Sequence, residues 1–277
     1  MRATSTGCKL RRCGAALLLL AAQLCLPARA YSPAEPVGKP GMLLTAMSGN
    51  GSLSGESTLG SAAADAVRLA AGSDFALLCG GQFAANLEPK TVTYADICRL
   101  FADGDAGLTV VRVTPKALRQ LLEHGLSRIT LDETESIDRA VSAFGGFPQI
   151  SGFTLTYDTS AHPGERVMRI CLDGRKLDLE DDVTSYTLAL PAAVAEGAYG
   201  YPARSGTGLT ATLAEAMADY VASGVPDTYT GHDRITEVGC TEYDIINRVP
   251  AECAVAALCI WAATRLWKFK HDGTHTR

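Results

Sequence analysis

The chain has 277 residues, 47% hydrophobic and 20% charged, which is ordinary globular composition and enough for one large domain or two small ones. Its formal charge of −5 becomes −10 once residues 1–30, which carry five basic and no acidic residues, are set aside. An acidic body of this kind is no partner for nucleic acid, whose phosphates need a basic patch.

In chain order, Lys9, Arg11 and Arg12 precede an apolar run from Gly14 to Leu26, and Ala28-Arg29-Ala30 follows. A positive start, a short apolar core and an A-x-A site predict a cleaved secretory signal over 1–30 and an exported protein. Residues 31–41, with three prolines, read as an extended linker. Met47 to Gly55 is small and polar, hence a loop. In Ser57 to Ala71, the residues Leu59, Ala63, Ala66, Val67 and Ala70 share one helical face, and Gly72 closes the helix.

Phe75 to Leu78 is a short continuous apolar run, as expected of a strand buried on both faces, and it runs into Gly80 and Gly81. Paired glycines permit positive φ or the close approach of a backbone or a ligand. Ligand crevices in open sheets lie beyond the carboxyl ends of such strands. The first place to expect a site is therefore Gly80, Gly81 and Gln82.

Thr91 to Tyr94 suits a short strand, Ala95 to Phe101 a helical turn, and Leu108 to Val113 a β-branched strand. Thr114-Pro115 is a helix start, with Thr as N-cap and Pro at N1. Leu118, Leu121 and Leu122 supply its buried face, and Gly125 suits its C-terminal stop. Arg128 to Val141 reads as a polar surface excursion. Gln149 to Asp158 alternates as one strand, Val167 to Leu172 pairs back on it, and Asp173-Gly174 signals a tight hairpin. Ser185 to Leu190 is another strand, Ala192 to Gly208 is loop-like, and Leu209 to Ala222 is predicted helical, ending at Gly224.

Val249 to Trp267 is a hydrophobic stretch followed by the basic tail 268–277. Its apolar core of about 15 residues corresponds to ~22 Å of helix, short of a ~30 Å hydrocarbon core. Trp261 and Trp267 suit a membrane interface, and the basic residues beyond agree with a cytoplasmic end. Residues 250–267 are expected to form either a single short membrane anchor or a helix docked on the domain or a partner.

Four ordered segments carry a family resemblance. Gly55 to Arg68 (GESTLGSAAADAVR) is similar to a helix that typically reads E-S/T-x-L-G-N-L-x-x-D-A-M-R. FALLCGGQFAANL resembles A-L-L-N-G-G-G-I-R. Thr91 to Ser127 resembles a segment built on I-T-Y-G-D-L, L-P-F-G-N, V-E-V-T-G and L-E-H-G. Gly145 to Asp158 (GGFPQISGFTLTYD) resembles G-R-F-P-Q-V-S-G-L-R-F-x-Y-D. Together they span roughly Met42 to Ile235 and resemble the C-terminal domain of the 5'-nucleotidase/UDP-sugar hydrolase family.

The resemblance implies an α+β fold: a single mixed-sheet domain with packed helices over 42–237, alongside the N-terminal signal and C-terminal hydrophobic helix. In that family a separate metallophosphoesterase domain holds two metals and hydrolyses the ester, while this domain binds the nucleoside between two aromatic rings. A two-metal site clamps attacking and leaving oxygens with clustered Asp, His and Asn ligands. The five histidines here, His124, His162, His232, His271 and His275, stand singly, without a G-N-H-E or paired-His motif. No cofactor, metal ligand or catalytic residue is expected within this chain.

Residue by residue, the family's gripping groups are replaced. Its Asn before the glycines is Cys79, the Arg closing G-G-G-I-R aligns with Ala84, and the Arg ahead of the opening helix aligns near Gly55. L-P-F-G-N has become Phe101 to Asp105 with a one-residue insertion. In the counterpart of N-F/Y-L-A-x-G-G-D-G-Y, the aromatic position is Ala193 and the ribose-binding Asp is Tyr199. Each stack is worth ~1–3 kcal/mol and each charge-assisted hydrogen bond ~1.5–3 kcal/mol, so these losses remove most of the ~8 kcal/mol of a micromolar affinity.

The expected nucleoside pocket is therefore degenerate: Gly80, Gly81, Gln82, Phe101, Tyr199 and Tyr201, with Phe101 and Tyr199 either forming a substitute clamp or packing under the loop. The implied partners are a weakly held nucleoside or nucleotide, a separate metallophosphoesterase chain, and the membrane. Two roles follow: a non-catalytic binding or interaction module, or the substrate-recognition part of a split nucleotide hydrolase.

Overall fold

A computed structural model describes residues 30–47 and 51–239. The predicted signal up to residue 29, the hydrophobic stretch 250–267 and the basic tail 268–277 lie outside the described residues. Among the described residues no helix is long and apolar enough to cross a membrane.

From Ser32 onward the elements run β1 (Pro36–Gly38), α1 (Thr58–Ala71), β2 (Phe75–Cys79), β3 (Val92–Thr93), α2 (Tyr94–Cys98), β4 (Gly107–Val113) and α3 (Pro115–Gly125). Then come β5 (Pro148–Ser151), β6 (Thr154–Asp158), β7 (Val167–Leu172), β8 (Arg175–Lys176), β9 (Tyr186–Pro191), α4 (Ala192–Ala195), β10 (Gly206–Thr212), α5 (Leu213–Ser223) and β11 (Ile235–Val238). The fold is α+β. Its strands divide among a mixed five-stranded sheet, β10-β4-β9-β2-β5, a four-stranded sheet, β11-β6-β7-β8, and the β1-β3 pair.

β2 holds the centre. It runs parallel to β9, with Phe75 opposite Leu188, and antiparallel to β5, with Leu77 opposite Ile150. All five of its residues are buried. On one face Phe75, Leu77 and Cys79 join Leu118, Leu121 and Leu122 of α3 and Leu155, Tyr157 and Ile170 of the smaller sheet. The other face is covered by α1, which in turn packs on α5. Burial on both sides explains why α1 hides Ala62 and Ala64 as well as the predicted stripe. Ala70, at the end of that stripe, is exposed.

The caps follow local chemistry. The Ser57 hydroxyl accepts from the Gly60 N–H at 3.0 Å and opens α1. Gly72 closes it in the left-handed conformation at φ 58°. Thr114 caps α3 with Pro115 at its first position, as predicted.

Four expectations are altered. The stretch read as one strand from Gln149 to Asp158 is two, β5 and β6, broken at Gly152 (φ 90°). There a Cβ would lie 2.2 Å from the Asp74 carbonyl, so the chain leaves one sheet and enters the other where only glycine fits. The helix predicted from Leu209 begins at Leu213, because Thr212 and Glu215 form a capping box and the Thr-rich residues before it pair with β4. The stretch read as a linker contributes β1, which pairs with β3. Gly125 does not end α3 by positive φ. A Cβ there would lie 2.6 Å from the Tyr201 hydroxyl, so the requirement is space.

Candidate functional site

The region beyond the carboxyl end of β2 is built from backbone. The Gly80 N–H donates to the Phe147 carbonyl and the Gly81 N–H to the Gly145 carbonyl, each at 2.8 Å. The Ser52 hydroxyl donates to the Gly80 carbonyl at 3.0 Å. The Gln82 side chain turns back, its Oε1 accepting from the Cys79 N–H at 2.8 Å, and closes a tight turn over Gly80–Gln82. Gln82 therefore serves the turn.

Neither glycine has positive φ. What they supply is room for protein. A Cβ on Gly80 would lie 1.9 Å from the Ser52 carbonyl oxygen, and one on Gly81 would lie 2.9 Å from Gly145 Cα and 3.1 Å from Tyr199 Cε1. The close approach that these glycines permit is taken up by the 51–53 turn and by the Tyr199 ring.

Tyr199 rests on a floor of three glycines. A Cβ on Gly145 would meet its Cε1 at 2.8 Å, and one on Gly146 would meet its Cβ at 3.1 Å. Its backbone is left-handed, φ 56° and ψ 14°, a conformation that side chains other than Asn, Asp and Gly rarely adopt. Gly197 (φ 113°) and Gly200 (φ 80°) flank it. His124, in the last turn of α3, donates from Nε2 to the Tyr199 carbonyl at 2.9 Å and fixes the loop. The His124 ring stands edge-on to Tyr201 at 4.8 Å and to Phe144 at 5.8 Å.

Tyr201 is 3% exposed, and its hydroxyl donates to the Gly146 carbonyl at 2.7 Å. Burial, with the neighbouring Cys79, holds that hydroxyl well above the ordinary phenol range. Burial also pushes the Cys79 thiol up, with the neighbouring Tyr201 hydroxyl acting in the opposite sense, so the thiolate is suppressed.

Phe101 is 4% exposed and pairs with Phe83, ring centroids 5.8 Å apart, across a β-bridge. Its ring partner is Phe83, not Tyr199. Of the six predicted residues, Gly80, Gly81, Gln82, Tyr199 and Tyr201 gather at the β2 end, and Phe101 packs inward. The positions that the resemblance assigns to an arginine and to a stacking ring, Ala84 and Ala193, are exposed and carry only methyl groups. Among the described residues no group of three or more His, Cys, Asp or Glu converges as a metal site.

Gln149 escaped the sequence reading of the site. It is fully buried and makes four hydrogen bonds. Its Oε1 accepts from the Ser57 N–H at 3.0 Å and the Ser57 hydroxyl at 3.1 Å. Its Nε2 donates to the Ser52 carbonyl at 3.1 Å and the Gly55 carbonyl at 2.8 Å. It ties β5 to the turn that covers Gly80 and to the cap of α1. The available signal was a glutamine inside the apolar F-P-Q-I run, since a buried amide must be satisfied.

The sequence matches the family described as 5'-nucleotidase, C-terminal domain, over residues 39–205. It is 28% identical over 153 residues to the trifunctional nucleotide phosphoesterase protein YfkN of Bacillus subtilis, covering 53% of this chain and 10% of that protein. It is 31% identical over 144 residues to the endonuclease YhcR of the same organism, covering 52% of this chain and 10% of that protein. The chain thus spans about a tenth of the curated relatives it matches.

Among solved structures, the 5'-nucleotidase precursor from Thermus thermophilus superposes with a TM-score of 0.61 at 23% identity, covering 74% of this chain and 39% of that one. The NAD nucleotidase of Haemophilus influenzae gives 0.58 at 17% identity, covering 76% and 39%. With the fold and the four motif segments in register, the chain belongs to the 5'-nucleotidase C-terminal domain family.

Proposed function

We propose that this chain is an exported recognition module of the 5'-nucleotidase C-terminal type, non-catalytic on its own, whose inherited nucleoside site no longer grips a nucleotide. The carrying observation is the covered glycine floor: the Ser52 carbonyl and the Tyr199 ring fill the space over Gly80 and Gly81. The inward packing of Phe101 against Phe83 supports the same reading. So do the methyl groups at 84 and 193, which offer neither charge nor ring. Export rests on the 1–30 pattern, and tethering to a membrane rests on the composition of 250–267.

A second reading is favoured by the relatives. The matched portion is 39% of the Thermus and Haemophilus chains, so the domain is found there within a longer protein. On that reading the chain presents substrate to a separate metallophosphoesterase unit. An assay of the full chain against AMP and UDP-glucose with added divalent metal separates the possibilities. The first reading predicts no hydrolysis by this chain alone and no stimulation of an added metallophosphoesterase chain above that chain's own rate. Hydrolysis by this chain alone would overturn both, and stimulation of an added metallophosphoesterase would favour the second.

A further inference from the structure

Arg204 lies on the return from Tyr201 to β10. Its backbone N–H donates to the Ala195 carbonyl at 2.8 Å, which pins the residue beside α4. The side chain has no comparable settlement. Its Nε is buried and meets no hydrogen-bond partner among the described residues. Desolvation by burial lowers its pKa. A buried donor left unpaired costs ~1–3 kcal/mol, and more when charged.

The residue lines a cleft of about 560 Å³ with Thr109, Ala192, Ala195, Glu196, Ser205 and Gly206. That volume is within the range of small-molecule sites. The walls are small residues without an aromatic ring, so nothing here stacks on a base. The polar groups are one guanidinium, two hydroxyls and the Glu196 carboxylate. A guanidinium presents a planar fork of donors that matches carboxylate and phosphate oxygens.

We propose that this cleft binds a small oxyanion, a phosphate or carboxylate group held by Arg204 with the hydroxyls of Thr109 and Ser205. On this proposal the Nη groups make the contact, because Nε is itself buried from solvent. Glu196 is a fixed like charge that weakens the site and disfavours polyanions. The cleft shares no lining residue with the floor at Gly80, Gly81 and Tyr199, and the inference does not depend on whether a nucleoside binds there.

The test is calorimetric titration of the full chain with inorganic phosphate and, separately, with acetate, which distinguishes the two sources of the oxyanion. Saturable binding of at least one is expected, with R204Q weakening it tenfold or more. The exposed variant E196Q is expected to tighten the same binding severalfold, an effect that loss of folding cannot produce. Absence of saturable binding by either anion at tens of millimolar would overturn the inference. So would binding that a folded R204Q leaves unchanged, or that E196Q does not tighten.

Discussion

Replacing Gln149 with Leu tests the structural half of the account. Leucine conserves much of the volume but removes four hydrogen bonds at a fully buried position. The Ser57 N–H and the Ser52 and Gly55 carbonyls lose the partner that Gln149 supplied, while the Ser57 hydroxyl keeps the Gly60 N–H it accepts. Each lost bond is worth about 1 kcal/mol net, and a buried orphan ~1–3 kcal/mol. Allowing for relaxation and non-additivity, the expected loss is about 3–5 kcal/mol, a large share of the ~5–15 kcal/mol of a typical domain. Urea unfolding followed by far-ultraviolet circular dichroism measures it directly. A thermal midpoint lower by about 10 °C is the parallel expectation. Q149E is expected to fare no better, because a carboxylate would face two carbonyl oxygens. A loss below about 1 kcal/mol for Q149L would refute the claim that this amide knits β5 to the Gly80 cover and the α1 cap.

The buried Glu123 accepts from the Arg166 N–H at 3.0 Å and the Val167 N–H at 2.7 Å, while the Arg166 guanidinium donates to the carbonyls of Ala161, Leu126 and Ile129. E123A leaves the buried Arg166 and Val167 N–H groups without their acceptor and removes a negative charge near Arg166, and should cost about 2–5 kcal/mol in urea unfolding, with E123Q costing less. Burial raises the pKa of Asp65, but the hydrogen bond and charge of Arg234, then the hydroxyls of Ser151 and Tyr229, outweigh it and hold the carboxyl below its usual value. Because the folded value is the lower one, the stability Asp65 contributes is present above its unfolded pKa of about 3.9 and is lost as pH falls through the folded value. The difference in urea midpoint between wild type and D65N should therefore be largest near neutral pH and shrink in acid. A difference independent of pH would count against the ion pair. At position 199 the left-handed backbone predicts that Y199V is less stable than Y199N by about 1–2 kcal/mol, and equal stability would refute the strain.

Local chemistry made α1, β2 and the start of α3 legible. Their signals are a helical apolar face closed by Gly72, an unbroken apolar run, and a Thr-Pro cap, none of which needs a distant partner. The boundaries that moved depend on distant groups. Nothing near Gly152 in sequence says that the Asp74 carbonyl will lie where its Cβ would be. Gly125 looks like a helix stop until the Tyr201 hydroxyl is seen in its place. In the four-stranded sheet the β6-β7 and β7-β8 hairpins were legible, but β11 was not, since it pairs with β6 across some eighty residues.

At the candidate site the tight backbone was legible and its occupant was not. Glycines after a buried strand correctly marked a close approach, but sequence does not say whether a ligand or protein makes it. Here it is the Ser52 carbonyl and a tyrosine ring. Gln149 signalled only that a buried amide must be satisfied, not by what, because its partners are three backbone groups near residue 55 that the fold brings to it. Arg204 was invisible for the opposite reason, since a buried Nε without a partner cannot be recognised until the fold has placed the residues around it.

The most direct measurement of the central claim is calorimetric titration of the full chain with AMP, adenosine and UDP-glucose. With the glycine floor occupied by protein and no ring or charge at positions 84 and 193, none should bind with micromolar affinity, which would require about 8 kcal/mol of grip. A saturable micromolar isotherm for any one of the three, abolished by substitution at Tyr199, would contradict it.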